Sequence, residues 1–453
     1  MTFGLKLPIT ASPVLGVTTS NDPCYTEHED FENGHRYSAM IGKSVSGTVN
    51  IFIYDTSNWG QSWEETQITA MTGGSTTGDQ YVGSVCPAID GKGLHCVWYG
   101  LGYAQIGATY YPSQKYCTSL LYRYRDADGV WGATEVIKYS QDSQYAQGYP
   151  RYRIYNNRTP CIAIDSIGNV HVVWTYLDSW NTFFLPGASW YSCWYSRRNV
   201  VTGAWEETVR FRYVDNNLRP SHQLPNIQVD SHDNPHITCA LMNPVRSPTW
   251  GVDASTTVWF ANDQQGDITG WPGWWSGSYY GSDFPHSDPM AEILCNYPSS
   301  YSVSIYARMA LCPLYTEGTF DYPHCIYLTT LAPYTGVWHK YMDATGWHEE
   351  RVNSISSSVY PTLAIGADGM IYALTRAFTS ANWEYRKKAL SADVWSAPET
   401  IEGIASPRPV HHTWPISYPL DGQDCSPFMA SHDGWAKLFR CGIPVTDSYG
   451  YFM

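Results

Sequence analysis

Apolar and polar residues alternate along this chain in runs of about four to eight positions, the two-residue period of β-strands, and no long stretch keeps the spacing of an amphipathic helix. The clearest unit begins at 160–174, PCIAIDSIGNVHVVW, where two apolar runs flank a turn-forming DSIGN. It continues with CWYSRRN at 193–199 and GAWEETV at 203–209. The same order returns where PAIDGKGLHCVW starts at Pro87, PNIQVDSHDNPHITCA at Pro225, PHCIYL at Pro323 and PTLAIGADGMIYAL at Pro361. Each unit reads as strands A, B, C and D, with a Gly, Asn or Asp turn between A and B. The tryptophans that close successive units, Trp63, Trp131, Trp205, Trp271, Trp347 and Trp395, lie 68, 74, 66, 76 and 48 residues apart. So uneven a spacing assigns the variation to loops, and the tryptophans themselves are expected to pack between units.

Four-stranded units repeated along one chain predict an all-β fold, a single β-propeller of antiparallel blades over 1–453. The first unit shows only B, C and D, in HRYSAMIGK, TVNIFIYDT and WEETQI, while 427–441, PFMASHDGWAKLFRC, supplies an orphan strand A. Completing the first blade with it closes the ring and removes two exposed sheet edges. The blades are then 427–441 plus 35–68, 86–138, 160–210, 224–275, 300–352 and 360–402, six in all; a seventh requires 1–35 and 405–441 to build one of their own.

Residues 56–63, TSNWGQSW, fit S/T-x-D/N-x-G-x-S/T-W, and degenerate forms stand at matching points: DADGVW at 126–131, VTGAW at 201–205 and DATGW at 343–347. This pattern is the Asp-box of BNR repeats, and the chain resembles the sialidase-superfamily propellers, where the box forms the turn between strands C and D. The resemblance implies a fold more than a function. Sialidases, to which the fold is similar, use arginines on the substrate carboxylate, a Tyr activated by Glu, and an Asp acid, with the first arginine in an F/Y-R-I-P motif. The nearest match here is YRIY at 152–155, in mid-chain and without the proline. No other motif places the remaining roles. No catalytic set is therefore assigned, and Tyr152, Arg153, Arg219 and His222 are the residues to test if the protein is an enzyme.

In a blade of alternating strands the A–B and C–D turns share one face, and the B–C and D–A connections share the other. The turns are minimal. The B–C connections at 99–115 and 175–191 are long and aromatic, and the D–A connections at 139–159 and 211–224 carry arginines. Long loops on a rigid scaffold collect binding residues. The candidates are Tyr110, Tyr111, Arg153, Trp180, Trp190, Arg219, Trp274, Trp275 and Tyr279. Their flat rings suit sugar faces, with Arg, Asn and Asp for hydroxyls. They suit protein interfaces equally, or these loops cover one another with their own side chains. Partner contact is expected on this face, because the turn face offers few large side chains.

Composition narrows the partners. With 27 Lys and Arg against 41 Asp and Glu, a net −14 excludes nucleic acid, whose phosphates need a basic surplus. Aromatic residues as numerous as charged ones, 15% each, exclude disorder and helical bundles. No apolar run of about 18 residues occurs, so membrane insertion is not expected. Residues 1–12 lack a charged region followed by an apolar one, so no secretory signal is expected. A Tyr-, Trp- and Asn-rich composition without that signal points to a virion protein released by lysis, or to a mature extracellular form.

The 12 cysteines include no C-x-x-C, which excludes zinc-ribbon and thioredoxin readings. Cys161, Cys239 and Cys325 fall in apolar strands and read as buried thiols. His95, His171 and His236 recur at one strand-B position, after Asp90, Asp165 and Asp230, and read as hydrogen-bonded fasteners of each blade, with no metal. Neither a P-loop nor a dinucleotide motif occurs, so no cofactor is expected.

The leading reading is a non-catalytic binding or structural module on a phage virion exterior, for receptor binding, tail or neck, or decoration, meeting other virion proteins or cell-surface glycan. The alternatives are a glycan-cleaving enzyme, either a sialidase-like glycoside hydrolase or a polysaccharide lyase, and a cellular lectin or scaffold propeller.

Overall fold

The computed structural model describes residues 24–30, 34–56, 64–71, 80–89, 92–101, 105–106, 109–110, 118–139, 152–154, 160–179, 189–206, 209–211, 221–242, 254–261, 291–298, 307–317, 320–329, 335–354, 361–365, 369–376, 383–401, 408–409, 411–412, 425–432 and 435–442. Among them there is no helix, and antiparallel sheets of four main strands follow one another in chain order.

The first sheet holds β1 (Cys24–Asp30), β2 (Gly34–Val45), β3 (Thr48–Thr56) and β4 (Glu64–Gln67). The second holds β5 (Gln80–Pro87), β6 (Leu94–Leu101), β9 (Thr118–Arg125) and β10 (Glu135–Tyr139), with a small hairpin, β7 (Gln105–Ile106) and β8 (Thr109–Tyr110), between β6 and β9. In the third, β11 (Tyr152–Ile154) and β12 (Cys161–Ile164) share the place of strand A beside β13 (Val170–Ser179), followed by β14 (Ser189–Arg198) and β15 (Val209–Phe211).

The fourth is β16 (Ser221–Val229), β17 (Pro235–Met242), β18 (Ala254–Ala261) and β19 (Ala291–Pro298). The fifth is β20 (Ala307–Glu317), β21 (Phe320–Thr329), β22 (Gly336–Asp343) and β23 (Gly346–Asn353). The sixth is β24 (Thr362–Ile365), β25 (Met370–Arg376), β26 (Trp383–Ala389) and β27 (Glu399–Ile401). After them come β28 (Arg408–Pro409), β29 (His411–His412), β30 (Cys425–His432) and β31 (Trp435–Gly442).

One strand assignment is corrected. The neighbour of β2 is β1, paired from Cys24↔Met40 to Asp30↔Gly34, not the segment 427–441. β30 pairs with β31 and β28 instead. The string CYTEHED has no apolar alternation to betray a strand, and it is the backbone ladder that places it. The C-terminal part meets the first sheet through β29, parallel to β1 at Cys24↔His411 and Tyr25↔His412.

The core lies between consecutive sheets. Val85, Cys96 and Trp98 of the second sheet pack on Met40, Ile51 and Ile53 of the first, while the alternate residues Cys86, Val97 and Tyr99 pack on Ile162, Val172 and Trp174 of the third. A second such layer joins Cys312, Ile326 and Val337 to Leu363, Ile371 and Trp395. Both faces of inner strands such as β6 and β13 are thus covered, which is why VHVVW reads as a continuous apolar run. Cys86, Cys96, Cys161, Cys312 and Cys325 are buried.

Three of the recurrent tryptophans lie at these seams and Trp347 departs from the expectation. Trp395 is buried, and Trp131 and Trp205 pack half-buried against the preceding sheet. Trp347 packs on Tyr322 and Met342 of its own sheet; Trp63 and Trp271 lie outside the described residues.

A carboxylate clasps these tryptophans from the sheet before. Glu135 accepts Trp205 Nε1 at 2.9 Å and Arg198 at 2.9 Å. Glu350 accepts Trp395 Nε1 at 3.0 Å and Lys388 Nζ at 2.7 Å. Asp55 pairs with Arg125, whose guanidinium stands 5.5 Å over the Trp131 ring.

Candidate functional site

At the turn end of the sheets, the recurrent histidines act as expected. His95 Nδ1 and His171 Nδ1 each lie 2.7 Å from a tyrosine hydroxyl, that of Tyr122 and Tyr195. His171 Nε2 and His236 Nε2 reach Asp165 and Asp230 at 3.2 and 3.1 Å. Asp90 lies outside the described residues. Asp165 and Asp230 also accept the backbone and side-chain amides of Asn169 and Asn234. Burial alone would raise both carboxyls, but the bonds from histidine and asparagine hold them below the ordinary carboxylate range.

Sequence reasoning missed a second linkage, whose signal was the repeated Asp-Ser dipeptide. Ser166 donates its N–H and hydroxyl to Asp233 at 2.6 and 2.7 Å, and Ser231 does the same to Asp321 at 2.9 and 2.7 Å. Successive A–B turns are thereby tied, so these sheets stand in one orientation. The C–D turns of the second, third and fifth sheets form alike: Asp126, Asn199 and Asp343 each cap the following backbone with a side-chain oxygen, and Gly129, Gly203 and Gly346 take positive φ. Nor is this end bare, as expected from its short turns. Val130, Ile167 and Val201 stand 62%, 64% and 89% exposed.

The opposite end gathers part of the predicted site. β13 and β14 run past the core, and β11 joins them through Tyr152↔Asp178, Arg153↔Leu177 and Ile154↔Tyr176. Asp178 pairs onward with Trp190, so the register sets Tyr152, Asp178 and Trp190 in one row across three strands. In the fourth sheet His222 pairs with Leu241 at the matching end of strand A. The two strands A adjoin there, Cys161 Sγ lying 3.0 Å from the Pro225 carbonyl.

In the second sheet the matching end is closed by a bulge between Tyr81 and Ser84. A Cβ on Gly83 would overlap the Val97 carbonyl oxygen, so only glycine lets β5 lie this close to β6. The buried Gln80 then accepts Trp98 Nε1 at 3.0 Å.

Tyr152, Arg153, Trp190 and His222 therefore share one end of neighbouring sheets, opposite the Asp165 and Asp230 turns, and Tyr110 lies on β8. Tyr111, Trp180, Arg219, Trp274, Trp275 and Tyr279 lie outside the described residues.

Sheets of this kind, stacked in chain order with their apolar faces between them, define a β-propeller. The solved structures similar to the chain include the polysaccharide lyase Uly1, at TM-score 0.52 and 9% identity over 95% of this chain and 91% of that one. A PL25 ulvan lyase bound to -[GlcA(1-4)Rha3S]- is similar at TM-score 0.50 and 10% identity over 97% and 94%, and the Hadza microbial sialidase Hz136 at 0.45 and 7% over 90% and 77%. No protein-family model matches the chain, and no curated protein matches its sequence.

Proposed function

We propose that this propeller recognises an anionic glycan at the long-loop end of its second to fourth sheets, outside a cell or on a virion exterior. The observation that carries the reading is that Tyr152 and Arg153 on β11 and His222 on β16 lie at the same end of consecutive sheets. Charge supports it: the connections at 139–159 and 211–224 hold five Arg against two Asp in a chain of net −14. So does the likeness to lyases, one of them holding a glucuronate-containing chain. The six sheets are read as blades of one ring.

The same three residues favour a second reading, β-elimination from a uronate. Arg153 would neutralise the carboxylate and Tyr152 or His222 would take the C5 proton; the electron pair becomes the C4–C5 double bond as the C4–O bond breaks, and the other of the two residues protonates the leaving oxygen.

Polyglucuronate and neutral dextran, titrated against the full chain by calorimetry, test the first reading. Binding of polyglucuronate alone is expected, weakened by Arg153→Ala with melting unchanged. No binding, or binding indifferent to Arg153→Ala, overturns it. Growth of unsaturated-uronate absorbance that is lost in Tyr152→Phe or His222→Ala establishes the elimination, and binding without that absorbance leaves a non-catalytic module.

A further inference from the structure

The turn end of the second and third sheets carries a surface that the glycan reading does not use. Ile89, Ile167, Val200 and Val201 are 54%, 64%, 44% and 89% exposed. They form one patch. A Cβ on Gly168, which has φ +96°, would stand 3.3 Å from both Ile89 Cδ1 and Val200 Cγ2, so three chain segments converge on that glycine. Val130 extends the apolar surface on the C–D turn of the second sheet, because Arg125 at the end of β9 pairs with Leu94 at the start of β6.

Nothing in the fold asks for these side chains. Asp165, Asn169 and Asn199 already shape the turns through their own hydrogen bonds, and positions so exposed accept polar residues freely.

The surrounding charge is one-sided. The turns of the second and third sheets and the neighbouring A–B turn of the fourth, 88–93, 126–130, 165–169, 199–204 and 230–234, contain six Asp and one Lys, of which Asp165 and Asp230 are buried. One of the acids, Asp233, borders the patch directly through its bonds to Ser166, next to Ile167.

We propose that this turn face is a protein-docking surface, and that its partner is a different chain presenting apolar side chains on a basic surface. Charge selects the occupant: a second copy would bring acid against acid, whereas a basic partner is drawn in and then held by burial of the isoleucine and valine side chains. The chain then engages glycan on one face and its mount on the other.

The test uses the full chain and three synthetic peptides of equal length, one alternating Lys with Leu, one Lys with Ser and one Glu with Leu. Fluorescence anisotropy measures binding, and hydrogen exchange maps the footprint. The Lys/Leu peptide should bind with protection confined to the turns at 88–93, 165–169 and 199–204. Added salt should weaken it, and the Ile167→Ser/Val201→Ser variant should lose about tenfold in affinity or more with melting and polyglucuronate binding unchanged.

Equal binding of the Lys/Ser peptide, a footprint on the long-loop end, or full binding by the variant overturns the proposal. Wild-type dimers in sedimentation that vanish in the variant overturn the choice of occupant. Glycan binding is read separately, so failure of one face leaves the other standing.

Discussion

Replacing Glu350 by Gln tests the clasp between the fifth and sixth sheets. The carboxylate takes Lys388 Nζ at 2.7 Å, Trp395 Nε1 at 3.0 Å and His339 Nδ1 at 2.7 Å. The Lys388 side chain is 1% exposed, so its ammonium has no route to water once the counter-charge is gone. Removing one member of a buried ion pair costs about 3–5 kcal/mol, chiefly because the other charge is stranded. Gln keeps an acceptor oxygen for the indole, worth about 1 kcal/mol, and the Glu350 side chain is 19% exposed, so a loss of about 2–3 kcal/mol is expected.

Lys388→Met strands a carboxylate that still has two neutral donors, and should cost about 1–2 kcal/mol. The double variant should then resemble Lys388→Met alone, a coupling of about 2 kcal/mol. Urea unfolding at neutral pH, followed by tryptophan fluorescence, measures all four proteins. A Glu350→Gln variant within about 0.5 kcal/mol of wild type, or single costs that simply add, would refute the reasoning.

Acid should weaken the same seam in two stages. Burial holds His324 and His339 below their ordinary value of 6.5, helped by Lys388 nearby and against the pull of Glu350 on His339. The unfolded chain therefore takes up protons that the folded one refuses, and stability, full above 6.5, falls as pH drops through it. Glu350, kept below its ordinary 4.5 by His339 and Lys388 despite burial, adds a second loss further down. Melting against pH should show both steps, and His324→Phe should flatten the first; an unchanged upper step contradicts the assignment. Gly83→Ala should cost about 1–3 kcal/mol or more by overpacking and change the fluorescence of Trp98, and a neutral result would mean that the bulge tolerates a side chain. Trp395→Ala should cost about 3–5 kcal/mol in the same urea assay, and a loss under about 1 kcal/mol would contradict its place at the seam.

Much of the fold was legible because each unit carries the same turn chemistry. Asp165 and Asp230 announce their turns, and the histidines that follow announce the tie between turn and strand. The strand A of the first sheet was not legible: CYTEHED has no apolar period, whereas PFMASHDGWAKLFRC has one and drew the assignment to itself. The doubled strand A of the third sheet was hidden for another reason. Tyr152–Ile154 is too short to show a period, and its pairing follows from the length of β13, a property of its partner. The parity of strands in the sequence puts Tyr152, Arg153 and His222 at the end away from the A–B turns, and β11 and β16 carry them there in register. The turn end was misjudged, since short turns were equated with small side chains although Ile167 and Val201 need no length to stand out.

The clasps also have a direction. Asp55, Glu135 and Glu350 lie on the earlier sheet, and the cation with its tryptophan always lies on the later one. The second sheet carries both halves, Arg125 with Trp131 toward the first sheet and Glu135 toward the third, like a link with a hook and an eye. A duplicated sheet would arrive with both halves and fit between its neighbours without a new contact having to evolve, and a deletion would let the flanking halves meet. Stability in such an array is a sum over nearest neighbours, so the number of sheets can change in one genetic step while each seam stays what it was.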